Sequence, residues 1–330
     1  MDALQFVTRA MERGVACGFA DSDKASSKGS QQNGKQRRML HSRNEIREIA
    51  KGNSEMNEEE IKEKVRERYG AVARSAGKTS CCSPVGTENV KAGKSCCGGP
   101  VAESAEAIAF LLKEGQTSDT MVESYTAEER AALPEGADLG LGCGVPTHYS
   151  KFKPGERVLD LGSGAGVDCF LVARDVGPTG FVIGVDMTKD MIVQSRKNKL
   201  KLGIDNVEFR LGEIESLPVY DTCIDVVISN CVLNLVPNKP KAFSEIARVL
   251  KPGGRMVVSD MMVRGVLPDV VRHDIEAWAG CIAGAPTVEE YLAFITNAGM
   301  KDVKILLEKP YDWGGGEGFQ VVSCIVEAYK

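Results

Sequence analysis

The chain has 330 residues, of which 43% are hydrophobic and 26% are charged, and its formal net charge is -5. This composition is typical of a globular protein with one large domain or two modest ones. The acidic balance argues against nucleic acid or an anionic membrane as the main partner, and the apolar runs are too short to cross a bilayer. Because we find no secretory segment, we expect a cytoplasmic protein. Its oligomeric state is expected, by default, to be a monomer.

Residues 21–40 are polar and have almost nothing to bury, which predicts a disordered leader over residues 1–54. Residues 55–69 form a charged pattern with a narrow apolar stripe and with Asn57 as a helix cap. We expect this helix to pack as a lid. Together with the loop that follows, it belongs to an N-terminal region of residues 55–150, which ends in a glycine-rich turn at 139–146.

The sequence contains eleven cysteines, an odd number that favours reduced thiols over a framework of disulfides. An isolated cysteine is usually a small, buried apolar residue. Two adjacent pairs, Cys81-Cys82 and Cys96-Cys97, lie instead in a polar stretch rich in Gly, Ser and Lys, where no core can bury them. We therefore predict a mobile, thiol-bearing loop.

The stretch around which the chain is organised covers residues 157–187. A short apolar run through Asp160 is typical of a buried strand. Three glycines at two-residue spacing follow, the last of them Gly166, and they predict a tight turn whose backbone can approach a ligand. A helix-length segment and a second strand come next, ending at Asp186. An acidic residue there can accept hydrogen bonds from both ribose hydroxyls of an adenosine.

The glycine spacing narrows the choice of ligand. Gly166 comes one residue earlier than the third glycine of a Gly-x-Gly-x-x-Gly dinucleotide motif, and no Walker lysine follows. A nucleoside without a pyrophosphate fits better, and S-adenosylmethionine is the candidate that we favour. The residues expected to bind this cofactor are Asp160, Gly162, Ser163, Gly164, Asp186, Met187, Ile214, Glu215 and Asn230.

Strand and helix patterns alternate through residues 151–265, which we assign to the cofactor-binding domain. This period predicts an α/β fold with a parallel, Rossmann-like sheet, helices on both faces and right-handed crossovers. Ligands then bind beyond the carboxyl ends of the strands. Further on, helices at 269–279 and 287–298 precede two antiparallel strands. Residues 266–330 are therefore expected to form a small α+β appendage on the substrate side.

Five segments carry a resemblance to a known family. Asp160-Leu-Gly-Ser-Gly-Ala-Gly, Gly184-Val-Asp-Met and Leu250-Lys-Pro-Gly-Gly are shared by many class I methyltransferases. Ser229-Asn-Cys-Val-Leu-Asn-Leu and Gly280-Cys-Ile-Ala-Gly-Ala, together with the upstream cysteine-rich loop, are more discriminating. Taken in their order along the chain, these segments resemble those of the arsenite S-adenosylmethionine methyltransferases.

The resemblance implies that Cys231 and Cys281 bind trivalent arsenic. A third thiol would come from the upstream loop, whose four cysteines are Cys81, Cys82, Cys96 and Cys97. Trivalent arsenic is a soft, pyramidal centre that three thiolates satisfy while its lone pair points outward. The expected reaction is displacement at the cofactor methyl by that lone pair, without a general base. A cysteine pair would then reduce the arsenic, and thioredoxin or glutathione would reopen the disulfide.

Two other functions fit parts of the sequence. A small-molecule C- or O-methyltransferase of the quinone or sterol type would use the same glycine motifs, but it does not explain the cysteines. A thiolate protein for zinc or copper would use the cysteine pairs. These pairs lack Cys-x-x-C spacing, however, and such a protein has no use for Asp186. With three histidines, none at ligand spacing from a cysteine, a His-containing zinc site is not expected.

Overall fold

The computed structural model of the protein describes residues 57–75, 125–311 and 318–330. The predicted leader and the predicted cysteine-rich loop lie outside these residues. The loop residues concerned are Cys81, Cys82, Cys96 and Cys97.

The helices of the described chain are α1 (Glu58–Ser75), α2 (Ala127–Ala131), α3 (Val167–Asp175), α4 (Lys189–Leu202), α5 (Lys239–Val249), α6 (Asp269–Arg272), α7 (Ile275–Ala279) and α8 (Val288–Asn297). The strands are β1 (Arg157–Leu161), β2 (Phe181–Asp186), β3 (Val207–Leu211), β4 (Ile224–Asn230), β5 (Leu250–Gly265), β6 (Lys301–Pro310) and β7 (Phe319–Tyr329). Two 3-10 turns cover Pro146–His148 and Leu233–Leu235.

The seven strands form one sheet in the order β3-β2-β1-β4-β5-β7-β6. Neighbours among β1 to β5 are parallel, whereas β7 is antiparallel to both β5 and β6. The Rossmann-like sheet expected from the alternation is therefore confirmed. The two antiparallel strands predicted near the end of the chain extend this sheet. The chain leaves β1 toward β2 on one side and reaches β4 on the other, which opens a crevice at their carboxyl ends.

Apolar residues on both faces of the sheet are covered by helices. The central strands are buried almost throughout, as their continuous apolar runs predict for a parallel sheet. On one face, α5 turns Phe243 inward against Tyr291 of α8, with ring centroids 5.2 Å apart in an edge-to-face arrangement. On the other face, Phe170 of α3 meets Phe209 of β3 in the same way, at 5.6 Å.

The helix predicted over residues 269–279 is wrong as a single element, because the structure has two short helices there, α6 and α7. The side chain of Asp274 explains the break. Its Oδ1 accepts a hydrogen bond from the backbone N–H of Ala277 at 2.8 Å, which satisfies a free donor at the start of α7. A capping side chain of this kind starts a new helix, α7, which ends two residues before Cys281.

One acidic residue is fully buried in the middle of the sheet. Asp260 of β5 accepts a hydrogen bond from Tyr291 Oη at its Oδ2, over 2.7 Å. Burial raises the pKa of Asp260 to about 7, although the Tyr291 hydrogen bond acts in the opposite direction. The folded protein therefore holds this proton more tightly than the unfolded chain does, and its stability falls as the pH rises from the ordinary Asp pKa toward 7.

We expect Tyr291→Phe to destabilise the protein more at pH 8 than at pH 5. Without the phenol, the pKa of Asp260 rises further, so ionising this carboxyl above pH 7 costs additional folding free energy. The expected loss at pH 8 is about 1–3 kcal/mol, as for a buried group left without its donor. Urea unfolding at the two pH values measures it. Tyr220→Phe, at an 85% exposed position, is the control, and equal losses at both pH values would contradict the role given to Asp260.

Candidate active site

The predicted glycine turn lies at the carboxyl end of β1, where the crevice opens. Gly162, Gly164 and Gly166 have φ of 67°, 51° and 99°, a left-handed conformation that residues with a Cβ rarely adopt. A Cβ on Gly162 would also lie 2.4 Å from Cγ2 of Val232. The turn therefore needs glycine both for its conformation and for its close contact with the chain that follows β4.

Asp186, at the end of β2, has its carboxylate fixed by the backbone. Its Oδ1 accepts from the N–H of Thr188 at 2.7 Å, and its Oδ2 accepts from the N–H of Gly164 at 3.0 Å. Burial raises the pKa of this carboxyl, whereas the two backbone hydrogen bonds favour the ionised form. The position suits a group that accepts hydrogen bonds from the ribose of a nucleoside.

A cavity of about 290 Å³ lies above these strand ends. Every residue that the sequence predicts as cofactor-binding lines it, namely Asp160, Gly162, Ser163, Gly164, Asp186, Met187, Ile214, Glu215 and Asn230. Three cysteines line the same cavity, Cys143, Cys231 and Cys281. One continuous space therefore joins the nucleoside cleft to a group of thiols.

Two of these thiols come from turns with unusual backbone conformations. Cys231 follows β4 and Cys281 follows α7, and their φ values of 58° and 68° lie in the left-handed region. Such conformations cost free energy in residues other than glycine, and they cluster at functional sites. The Sγ of Cys281 donates to the carbonyl oxygen of Cys231 at 3.0 Å. The two cysteines named by the sequence resemblance therefore meet in space.

Cys143 is the third cysteine of the group, and the sequence analysis missed it. Its thiol lies within hydrogen-bonding reach of Cys231. Hydrogen bonds with the thiols of Cys143 and Cys281, followed by burial, raise the pKa of Cys231 well above its ordinary value. Its flanking glycines allow the close approach, because a Cβ on Gly142 would lie 3.0 Å from the Asn230 amide and one on Gly144 2.5 Å from the Ser259 hydroxyl on β5. The sequence shows these glycines but not what they pack against.

Helix α1 covers both ends of the cavity, as the sequence predicts for a lid. At one end, Lys62 Nζ forms ion pairs with Glu213 at 2.7 Å and Glu215 at 3.1 Å. At the other end, Tyr69 Oη lies 3.5 Å from the carbonyl oxygen of Ala279 and within reach of the Cys281 thiol. Burial raises the pKa of Tyr69 well above its ordinary value, so its hydroxyl stays protonated at neutral pH.

Asp168 is another residue of the cavity wall that the sequence analysis did not identify. Asp168, in the first turn of α3, accepts a hydrogen bond from Tyr125 Oη at 2.9 Å, and the amide of Asn230 lies within reach. Burial raises the pKa of Asp168 to about 6, and burial raises that of neighbouring Asp160 well above its ordinary value. With a pKa of about 6, Asp168 is mostly ionised at neutral pH and can pair with an ammonium group.

Two further observations concern metal binding and membrane insertion. Within residues 57–75, 125–311 and 318–330, no three His, Cys, Asp or Glu side chains stand in an arrangement that would hold a metal ion. The three thiols instead form hydrogen bonds with one another, so a trivalent centre would have to draw them together. Among the helices that the structure describes, none is both long enough and apolar enough to cross a membrane.

Comparison with known proteins places the chain in a family. A family profile for a methyltransferase domain matches residues 152–299. The arsenite methyltransferase of Halobacterium salinarum is 44% identical over 279 residues, which is 82% of this chain and 67% of that protein. The arsenite methyltransferase of Aquipseudomonas alcaligenes is 36% identical over 54% of this chain and 53% of its own length. The chain thus spans about half of the bacterial relative.

A solved structure agrees with these matches. The crystal structure of an arsenic(III) S-adenosylmethionine methyltransferase from Chlamydomonas reinhardtii aligns with a TM-score of 0.56 and 33% identity, over 63% of this chain and 75% of the algal chain. Together with the sheet order and the glycine turn, these matches define an S-adenosylmethionine-dependent class I methyltransferase. The chain belongs to the arsenite methyltransferase family. The family, fold and enzyme class predicted from the sequence are confirmed.

We expect Asp168→Asn to weaken S-adenosylmethionine binding by at least about 10-fold, because the ammonium group of the cofactor loses an ionised partner. In the wild type, affinity should fall as the pH drops through about 6 and Asp168 becomes protonated. The variant should lack this dependence. Calorimetric titration between pH 5 and pH 8 measures both effects, with the exposed Asp205→Asn as control. A variant with unchanged affinity at pH 8 would refute the pairing.

Proposed function

We propose that this protein methylates arsenite, with Cys143, Cys231 and Cys281 as the arsenic-binding thiols and S-adenosylmethionine as the methyl donor. The observation that carries the proposal is the single cavity that holds both the nine predicted cofactor residues and the three thiols. The names of the archaeal, bacterial and algal relatives support the same substrate.

Arsenite binding would proceed without a base from the protein. Each of the three thiols gives its proton to one hydroxyl of arsenous acid, so three As–S bonds form and three waters leave. A protonated Cys231, which its raised pKa implies, suits this exchange because the proton departs with the leaving water. Soft thiolates are the ligands that trivalent arsenic prefers. The arsenic that results has no net charge and keeps its lone pair.

Methyl transfer would then depend on position. The arsenic lone pair attacks the methyl carbon of the sulfonium, and the carbon–sulfur bond breaks with its electrons remaining on sulfur, which gives S-adenosylhomocysteine. The protein would contribute by holding the two reactants in line and excluding water, for which the lid helix α1 over Cys281 is suited. The acidic residues at the other end, Asp168 and Asp186, would hold the donor.

The reaction oxidises arsenic from the trivalent to the pentavalent state, so two electrons must be returned. We propose that a cysteine pair supplies them by closing a disulfide, and that thioredoxin or glutathione reopens it. The candidates are the arsenic-binding thiols themselves and the four upstream cysteines, Cys81, Cys82, Cys96 and Cys97. With Cys143 in the cluster, the upstream cysteines are assigned to reduction rather than to the third arsenic bond. This chemistry needs reduced thiols, and a cytoplasmic location is proposed for that reason.

The alternative acceptors are less well supported. A quinone or sterol methyltransferase needs an apolar acceptor site, but three thiols line the cavity beside the cofactor residues. A zinc or copper protein needs a preassembled tetrahedral site. Among the residues that the structure describes, Cys143, Cys231 and Cys281 do not form such a site.

We expect Cys143→Ser, Cys231→Ser and Cys281→Ser each to lower the rate of arsenite methylation at least about 100-fold. Each variant removes one sulfur that positions the arsenic, and misplacing a reacting atom is enough to cause a loss of that size. Binding of S-adenosylmethionine should be unchanged. The measurement is transfer of a labelled methyl group to arsenite. Cys223→Ser is the matched control, since this half-buried cysteine hydrogen-bonds to the carbonyl of Tyr220 and does not line the cavity. Full activity in the Cys143 variant would remove it from the ligand set.

We expect a variant with all four upstream cysteines replaced by Ser to complete a single methyl transfer at the wild-type rate. Repeated turnover with thioredoxin should be slow, because the arsenic is no longer re-reduced. Single-turnover and steady-state assays with separation of the methylated products distinguish the two steps. If the single turnover is lost as well, one of these cysteines, rather than Cys143, is the third arsenic ligand.

A further inference from the structure

A buried lysine lies directly behind the two cysteine-bearing turns. Lys239, the first residue of α5, is 7% exposed. Its Nζ donates to the carbonyl oxygens of Asn234 at 3.1 Å and Val236 at 3.0 Å. The ammonium also lies 5.1 Å from the centroid of the Trp278 ring, within the range of a cation–π interaction.

Burying the Lys239 ammonium costs solvation free energy that an apolar side chain would not lose. An ammonium group taken out of water loses solvation free energy that carbonyl oxygens only partly restore. Burial accordingly lowers the pKa of Lys239 to about 8, although Asp260, Cys281 and Glu215 favour the charged form at longer range. A methionine would fill a similar volume without this penalty. We therefore infer that the ammonium group of Lys239 has a role other than filling volume.

The residues that Lys239 holds are those that fix Cys281. Asn234, which is fully buried, donates its side-chain N–H to the carbonyl oxygens of Met261 at 2.6 Å and Cys281 at 3.3 Å. Trp278 accepts the N–H of Cys281 at its carbonyl oxygen, over 2.9 Å. Both backbone polar groups of Cys281 are thus bonded to residues that contact Lys239.

The same lysine also ties this turn to the one that carries Cys231. Trp278 Nε1 donates to the carbonyl oxygen of Leu235 at 3.2 Å. Leu235 and Asn234 belong to the 3-10 turn that begins two residues after Cys231. Lys239 therefore bonds to the carbonyl groups of one turn and stacks on the aromatic ring of the other.

We propose that Lys239 is a positioning residue that sets the separation of Cys231 and Cys281. It does so by holding Asn234 and Trp278 together across the two turns. The inference rests on the proposed arsenite binding by these thiols. It predicts that the ammonium matters for the metalloid end of the cavity and not for the cofactor end, which other elements form.

A simpler alternative is that Lys239 only caps the 3-10 turn and stabilises the fold. The two roles differ in what they change. A general loss of stability affects both ligands of the enzyme, or neither, once the protein is folded. A positioning role weakens arsenite binding selectively, and it raises the KM for arsenite while the KM for S-adenosylmethionine stays constant.

The test compares Lys239→Met with Lys241→Met, an exposed lysine two residues further along the same helix. Binding of sodium arsenite by the full chain is measured by equilibrium dialysis with detection of arsenic by mass spectrometry. S-adenosylmethionine binding is measured by calorimetry, and folding by circular dichroism. We expect Lys239→Met to lose about 10-fold to 100-fold in arsenite affinity, the size of effect expected for one hydrogen bond from a charged donor. The Lys241 variant should match the wild type in every measurement.

A second variant keeps the test decisive if Lys239→Met does not fold. Trp278→Phe retains an aromatic ring below the ammonium but removes the hydrogen bond to Leu235, and it should weaken arsenite binding about 5-fold with cofactor binding unchanged. The inference is overturned if the Lys239 variant, or Trp278→Phe in its place, binds arsenite like the Lys241 control. It is also overturned if arsenite and cofactor affinity fall together. Absence of arsenite binding in the wild type would instead overturn the proposed function itself.

Discussion

The reversal of the strand order between β1 and β4 is the constraint on which the site depends. Because the chain leaves β1 in one direction and returns to β4 in the other, the helices that connect the described strands lie to either side of these two carboxyl ends, and a crevice remains between them. The glycine turn after β1 narrows this crevice until Gly162 touches Val232, two residues beyond the end of β4. A cofactor that binds the turn is therefore held beside Cys231, whatever the rest of the chain contributes.

The two ends of the cavity differ in charge in a way that suits two different ligands. The end near α3 and β2 carries buried carboxylates, Asp168 and Asp186, which favour a cationic donor such as S-adenosylmethionine. The other end consists of thiols whose mutual hydrogen bonds favour the protonated state at Cys231. A neutral acceptor such as arsenous acid is matched to such a surface. Under the proposed function, the enzyme would thereby separate electrostatic recognition of the donor from covalent recognition of the acceptor.

The sequence predicted the central sheet and its cofactor residues well because both depend on local patterns. Continuous apolar runs, a glycine turn and Asp186 lie within thirty-one residues of one another, and their spacing sets their geometry. Cys143 could not be assigned in this way. It lies far along the chain from Cys231, and only the packing of its flanking glycines against the ends of β4 and β5 brings it to the other thiols. Contacts between residues that are distant in sequence, such as those of Cys143 and Lys239, cannot be predicted from the residue pattern of a single segment.

The left-handed backbone at Cys231 and Cys281 has a consequence for how such sites evolve. Glycine adopts this conformation without strain, and asparagine does so more readily than most residues, so either one would relax the turn. Cysteine at both positions leaves backbone strain in the fold, and substitution by glycine or asparagine would relieve it. Under the proposed function, the need for thiols at these two positions would oppose such substitution. In a newly sequenced chain of this fold, cysteine in a turn that favours glycine therefore marks a thiol to test for ligand binding.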